Sequence, residues 1–221
     1  MKRPIFTEDC FCHIYNRGTE KRNIFMEDGD YVRFIHYLFE LNNKENCYNL
    51  GRTLTKSGSF QQKPRELLVE ILAFALMPNH YHLILRQKAE NGIPIFMQKL
   101  GTGHTMFFNT KYKRSGSLFQ GKFKAIPIDK DEYLIHLLNY IHFNPLKLKE
   151  HEGGSTSFIL GKYKWSSFLD YIGEKNFPSV TSREFLLNIF GSEEKYKRSV
   201  EEWLKEKDKN ISLIRNLTLE D

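Results

Sequence analysis

Apolar positions recur along this chain with two periods, and the switches between them mark the elements. Cys12-His13-Ile14-Tyr15-Asn16-Arg17-Gly18 reads as a short strand with Gly18 opening a turn. Tyr31, Phe34, Ile35 and Leu38 then follow at helical spacing, which predicts a helix of about four turns reaching Leu41, with Asp28 or Asp30 as its cap. Leu67 to Met77 is a β-rich apolar run, Pro78-Asn79 is turn-like, and His80 to Arg86 reads as a second strand, so the two form a hairpin at the centre of a sheet. Periodicity alone also permits a buried helix over Leu67 to Met77.

Beyond Gly92-Ile93-Pro94, a helix carries Ile95, Phe96, Leu100, Phe107 and Phe108, with Gly101 and Gly103 weakening its middle. Leu118 to Ile128 looks like a strand. Asp129 and Glu132 have capping-box spacing before a helix whose core stripe is Leu134, Leu137, Leu138 and Ile141. Tyr133, His136, Tyr140 and Asn144 line a neighbouring face, and Pro145 ends the helix near Asn144. Lys164-Trp165-Ser166-Ser167-Phe168 is an aromatic segment that packs back on the domain. Thr181 with Glu184 forms another capping box, leading into a helix that Gly191 stops; a last helix carries Tyr196, Val200, Trp203 and Leu204. The domain division read from this pattern is residues 1–180, with an inserted polar loop at 42–66, and a helical extension over 181–221.

Composition narrows the classes. With 221 residues, 40% hydrophobic and 14% aromatic, the chain can pack a sizeable core. No apolar run approaches the ~20 residues of a membrane span, and the start carries no apolar secretory stretch, so the expectation is cytoplasmic. Cys10, Cys12 and Cys47 are too few and too irregular for a zinc pattern and read as reduced thiols. The net charge of +6 is unevenly spread: residues 91–128 contain no Asp or Glu but hold Lys99, Lys111, Lys113, Arg114, Lys122 and Lys124. A basic stretch interleaved with Phe107, Phe108, Tyr112 and Phe119 suits a single-stranded nucleic acid, although the same residues serve equally as a solvated face and a core.

The chemistry-bearing pattern is His80-Tyr81-His82. On a strand the two imidazoles share one face and Tyr81 takes the other. Such a pair can grip a metal, yet most are structural. Tyr140 and Asn144, four residues apart on one helix face, add a phenol and a carboxamide oxygen. Tyr133 is the rival nucleophile; His136 and His142 are rival ligands; Tyr81 reads as core. Arg17, Gln120, Lys122 and Lys124 are candidate DNA contacts.

Four motifs taken together carry a family resemblance. Met77-Pro78-Asn79-His80-Tyr81-His82-Leu83-Ile84, Leu118-Phe119-Gln120-Gly121-Lys122-Phe123-Lys124, Asn139-Tyr140-Ile141-His142-Phe143-Asn144-Pro145 and Trp165-Ser166-Ser167 resemble the HUH single-tyrosine transposases. The branch resembled is the REP-associated one related to the IS200/IS605 transposases, over roughly Cys12 to Tyr171. The resemblance implies an α+β, ferredoxin-like domain with a central antiparallel sheet that cuts and rejoins single-stranded DNA at hairpin-marked sites. It implies His80 and His82 as metal ligands, Asn144 as a third, Tyr140 as the nucleophile, and Mg²⁺ or Mn²⁺ as cofactor. Arg17, Lys111, Lys113, Arg114, Gln120, Lys122 and Lys124 are then the DNA-binding set. A homodimer with Tyr140 acting in trans stays open, as does a non-catalytic nucleic-acid-binding module or a water-using metal hydrolase.

Overall fold

Strand alternation sorts this chain into two cores divided by one sheet. The computed structural model describes residues 5–45, 65–148 and 156–206. Cys47, most of the 42–66 loop and residues 207–221 lie outside them. The four strands are β1 (Phe11–Arg17), β2 (Val69–Met77), β3 (His80–Gln87) and β4 (Lys124–Ile128), in the order β2-β3-β1-β4 with every neighbouring pair antiparallel. With α1 (Asp28–Glu40) between β1 and β2, and α2 (Gly92–Lys111) between β3 and β4, this is the ferredoxin-like α+β arrangement. The β2–β3 hairpin forms as the apolar runs imply, but only β3 is central; β2 is an edge.

One face of the sheet, with Ile14, Tyr81, Leu83 and Leu85, packs on Phe34 and Leu38 of α1 and on Phe96 and Leu100 of α2. The opposite face, with Ala73, Ala75, Ile84 and Ile128, packs on Leu134, Leu137, Leu138 and Ile141 of α3 (Asp131–Phe143). A single 3-10 turn, Asn144–Lys147, follows α3. Helices α4 (Thr156–Lys162) and α5 (Phe168–Tyr171) come next, then α6 (Glu184–Phe190) and α7 (Glu193–Lys205), whose Tyr196, Val200 and Trp203 enter the same core as α3.

The free edge of β2 is covered by the aromatic segment. Leu76 N–H donates to Trp165 O at 2.9 Å and Ser167 N–H to Phe74 O at 3.0 Å, while Trp165 stacks on Tyr31 with centroids 4.6 Å apart. Covering an edge satisfies its backbone groups and removes a template for pairing with other chains.

Several local expectations differ from the observed elements. Only Lys124–Ile128 of the 118–128 run is strand. Phe119 makes an isolated antiparallel bridge to Gly18, and Gly121, at φ +140°, a conformation open essentially to glycine, lies between that bridge and β4. Helix α2 runs unbroken through Gly101 and Gly103; a Cβ at Gly103 would stand 3.3 Å from Leu41 Cδ1, so this glycine serves close approach to α1. Helix α1 is capped by Glu27, with Asp30 reaching back to close the box. Helix α3 is entered from Lys130 without a side-chain cap, its Asp131 and Glu132 facing the positive end of the helix dipole instead. Helix α6 begins at Glu184 after Arg183, and the Thr181 hydroxyl is buried without a partner.

Each core holds a buried histidine. His104 Nε2 donates to Ile24 O at 2.9 Å, and His142 joins the Tyr196 hydroxyl (2.7 Å) to Ser167 Oγ (2.8 Å). Burial pushes His104 down to about 4 and His142 to about 3 from an ordinary 6.5. The folded chain therefore stays unprotonated at these rings while the unfolded chain takes up protons below pH ~6.5. Stability is complete above that pH and falls as pH drops towards the folded values, by ~1.4 kcal/mol per unit for each ring. Urea unfolding at about pH 7.5 and about pH 5 should show a loss of about 2–4 kcal/mol; equal or greater stability at the lower pH would contradict it.

Candidate active site

The antiparallel register determines which side chains accompany the histidine pair. Arg17 pairs with His80 and Tyr15 with His82 across β1 and β3, and Lys124 of β4 pairs with Tyr15. His13, two residues before Tyr15, shares that face, while Tyr81 is buried in the α1/α2 core on the other. The His80 and His82 rings meet edge to face with centroids 5.1 Å apart. Helix α3 crosses this face and sets the Tyr140 ring edge-on to His82 at 5.9 Å. Both histidines and Tyr140 meet within one chain.

Hydrogen bonds on the far side of each ring orient the pair. His80 Nδ1–H donates to the Asn79 carboxamide oxygen at 2.6 Å, and that amide is held by its own bond to Lys21 O at 3.1 Å. His82 Nδ1 lies 2.9 Å from Nε2 of the fully buried His13. His82 Nε2 is buried with no hydrogen-bond partner. An N–H there would be a stranded donor, so the proton belongs on Nδ1 and Nε2 carries a lone pair. Burial drives His80 down to about 4, with help from the Arg17 and Lys147 charges. Burial, then His13, His80, Lys147 and Arg17, drive His82 well below its ordinary value. Two neutral imidazoles with outward lone pairs and inward N–H bonds are what metal ligation requires. Asn144, buried on the turn after α3, donates through Nδ2 to Tyr140 O at 3.0 Å and has its carboxamide oxygen to offer. Two imidazole nitrogens and a carboxamide oxygen are a mixed N/O donor set of the kind that takes a divalent cation. No group of three His, Cys, Asp or Glu able to hold a metal occurs among the described residues.

The profile of the IS200-like transposases matches residues 31–144, just over half of the chain. The chain belongs to that family. A solved structure that it resembles is that of a REP-associated tyrosine transposase bound to a REP hairpin; the likeness covers 82% of this chain and 90% of that one, with a TM-score of 0.51 at 14% identity. That similarity carries the fold. No curated protein matches the chain at a significant level. No helix among the described residues is long and apolar enough to cross a membrane.

Among the rival candidates, His136 Nδ1 accepts from Trp203 Nε1 at 3.0 Å and His142 is spent on Tyr196 and Ser167. Lys130 lies over the Tyr133 ring as Lys147 lies over that of Tyr140. Cys10 and Cys12 are free thiols, and burial pushes Cys12 up.

The basic residues divide between the two sides of the sheet. Arg17 and Lys124 accompany the histidines, with Lys124 Nζ 5.8 Å from the Tyr15 ring centroid. Lys111, Lys113 and Arg114 stand at the end of α2, in the opposite layer. There Lys111 Nζ grips Glu27 (2.7 Å) and buried Asp30 (2.5 Å), and Arg114 bonds Asn109 (2.6 Å). Gln120 is tied by its N–H to Arg17 O at 2.9 Å, and Lys122 borders a cleft of about 570 Å³ between residues 117–123 and α2. Of the aromatic candidates, Phe108 and Phe119 are core.

Sequence reasoning missed His13, Asn79 and Lys147. His13 had a signal, its period-two spacing to Arg17; Asn79 stood as a turn residue and a member of the motif around His80-Tyr81-His82, without a role. Lys147 Nζ stands 3.4 Å from the Tyr140 hydroxyl and 4.6 Å from its ring centroid, a contact made by the 3-10 turn that no spacing rule foretells.

Long-range ¹H–¹⁵N spectra at neutral pH should show His80 and His82 neutral, His80 protonated on Nδ1. Asn79→Ala should let His80 populate both tautomers and leave His142 unchanged. A cationic His80 at neutral pH would refute this geometry.

Proposed function

We propose that this transposase nicks and rejoins single-stranded DNA through a 5′-phosphotyrosine at Tyr140. The observation that carries the reading is the meeting of the Tyr140 ring with His82, whose Nε2 is buried and unpartnered. His80 Nε2, His82 Nε2 and the Asn144 carboxamide oxygen would hold a divalent cation. When bound, Mg²⁺ or Mn²⁺ polarises the scissile phosphate and stabilises the departing 3′ oxygen.

The chain's own residues do the rest. A phenol is mostly protonated near neutral pH and is a weak nucleophile unaided. The Lys147 ammonium donates to the phenolic oxygen and favours negative charge there as attack begins. The Tyr140 oxygen bonds to phosphorus, its proton passes to solvent, and the P–O3′ bond breaks to leave a 3′-OH that takes up a proton. The phosphoester bond is conserved in count, so a second 3′-OH can attack the phosphotyrosine and expel the phenol without ATP. Arg17 and Lys124, on the histidine face, are placed to accept the strand's phosphates. Hairpin-marked sites are the proposed substrates, in keeping with the REP hairpin bound in the structurally similar transposase.

Incubating the protein with hairpin-bearing single-stranded DNA and Mg²⁺ or Mn²⁺ should yield a covalent protein–DNA adduct on a denaturing gel. Tyr140→Phe should abolish it, and His80→Ala or His82→Ala should reduce it at least about 100-fold. Salt-dependent binding with no adduct under either metal would leave a nucleic-acid-binding module. Products without a trapped protein, indifferent to Tyr140→Phe, would point to water as the nucleophile.

A further inference from the structure

Helix α2 carries a glycine that the fold does not explain. Gly103 lets α1 approach, with Leu41 Cδ1 3.3 Å from where its Cβ would stand. Gly101, midway along the same 20-residue helix, has no such neighbour: a Cβ there would meet nothing within 4 Å outside its own turn among the described residues. Glycine in a helix interior is destabilising relative to alanine, and packing gives nothing back here. Gly101 instead lines the cleft of about 570 Å³ between α2 and residues 117–123. Bare helix backbone in a cleft wall lets a ligand come close.

The lining describes that ligand. Buried Tyr81 and Phe119 form an apolar floor, with half-buried Phe123 beside them. Gln98, Thr102 and Thr105, around Gly101 on α2, supply a carboxamide and two hydroxyls. Exposed Lys122 brings a positive charge, and no carboxylate lines the cleft among the described residues. An apolar floor, hydrogen-bonding groups at its margin and a nearby cation match a nucleobase carried on its phosphate backbone.

The cleft also adjoins the histidines through the sheet. Asn16 and Tyr81 pair across β1 and β3, and the next pair is Arg17 with His80, on the opposite face. Asn16 Nδ2 donates to Gly121 O at 3.1 Å and so ties the cleft wall to β1. Lys122 in the cleft and Lys124 on the histidine face stand either side of Phe123, so a strand passing over this sheet edge meets both.

We propose, building on the DNA reading above, that this cleft seats one unpaired base of the single strand against Gly101. The seated base fixes where the backbone crosses the edge between Lys122 and Lys124, and hence which phosphate lies at the histidines. Selection of the cut position then resides in the layer opposite the one that carries Tyr140.

The test is missing-base interference: a hairpin-bearing single strand, sparsely stripped of bases, is bound at low salt without divalent metal, and bound and free fractions are sequenced. A Tyr140→Phe protein keeps the strand uncut. Loss of one particular unpaired base should weaken binding roughly tenfold. Gly101→Phe and Gly101→Met, whose side chains enter the cleft, should weaken binding of the intact strand by a similar factor and make loss of that base neutral. Both should melt no lower than their parent, since each replaces a helical glycine. Lys122→Gln should weaken binding yet leave the same base critical. Overturning results are an intact-strand affinity unchanged in both Gly101 variants, or a base-loss pattern identical in parent and variants. Either would spare Tyr140 as nucleophile, which the adduct assay reads separately; an absent adduct with the interference intact would overturn only the nucleophile. Failure of the parent to bind the strand would overturn both.

Discussion

Burial of β3 on both faces is the constraint on which the rest of this molecule depends. Tyr81, Leu83 and Leu85 are locked into the α1/α2 core, while His82 and Ile84 face α3. Side chains on a strand alternate with a period of two, so a slip of one residue would drive both histidines into an apolar core and turn Tyr81 out. Hydrophobic burial of the odd-numbered set therefore holds the even-numbered set in place. The same alternation on β1 aligns His13, Tyr15 and Arg17 with that face.

The helix that brings Tyr140 is held by a polar chain as well as by its leucines. Phe74 N–H donates to Ser167 Oγ at 3.0 Å, Ser167 Oγ meets His142 Nε2 at 2.8 Å, and His142 Nδ1 meets the Tyr196 hydroxyl at 2.7 Å. This path runs from the edge strand through α3 to α7. Fully partnered buried polar networks favour one arrangement over its competitors, because every slipped alternative strands a donor or acceptor. Trp203, bonded to His136 and packed on Phe143 at 5.0 Å, adds a second tie from α7. Residues 193–205 thus back the helix that carries the phenol, whatever further role the region has.

Electrostatics then separates two uses of positive charge. Lys111 is spent on Asp30 and Glu27 at the start of α1, where it compensates a carboxylate that packing has buried. Arg17, Lys124 and Lys147 instead gather on the histidine face. The acid-free stretch of 91–128 looked like one basic surface, but the sheet runs through it and assigns its members to opposite layers.

The sequence by itself determined the apolar faces of β1 and β3, the shared strand face of His80 and His82, and the common helix face of Tyr140 and Asn144. These follow from periodicities of 2.0 and 3.6, which are local properties of the backbone. It also carried the family, because the motifs around those residues stand in order. Only the tertiary structure decided which partners each histidine has: His136 and His142 are hydrogen-bonded to Trp203, Tyr196 and Ser167, while His82 keeps a buried Nε2 without a hydrogen bond. His13, Asn79 and Lys147 joined the site for the same reason. A contact between residues 69 positions apart, such as His13 with His82, is made by strand pairing, and no local pattern records it. The break in the 118–128 run, between the Phe119 bridge and Lys124, is likewise visible only in the fold. Local pattern chose the candidate groups; packing chose their company and their charge.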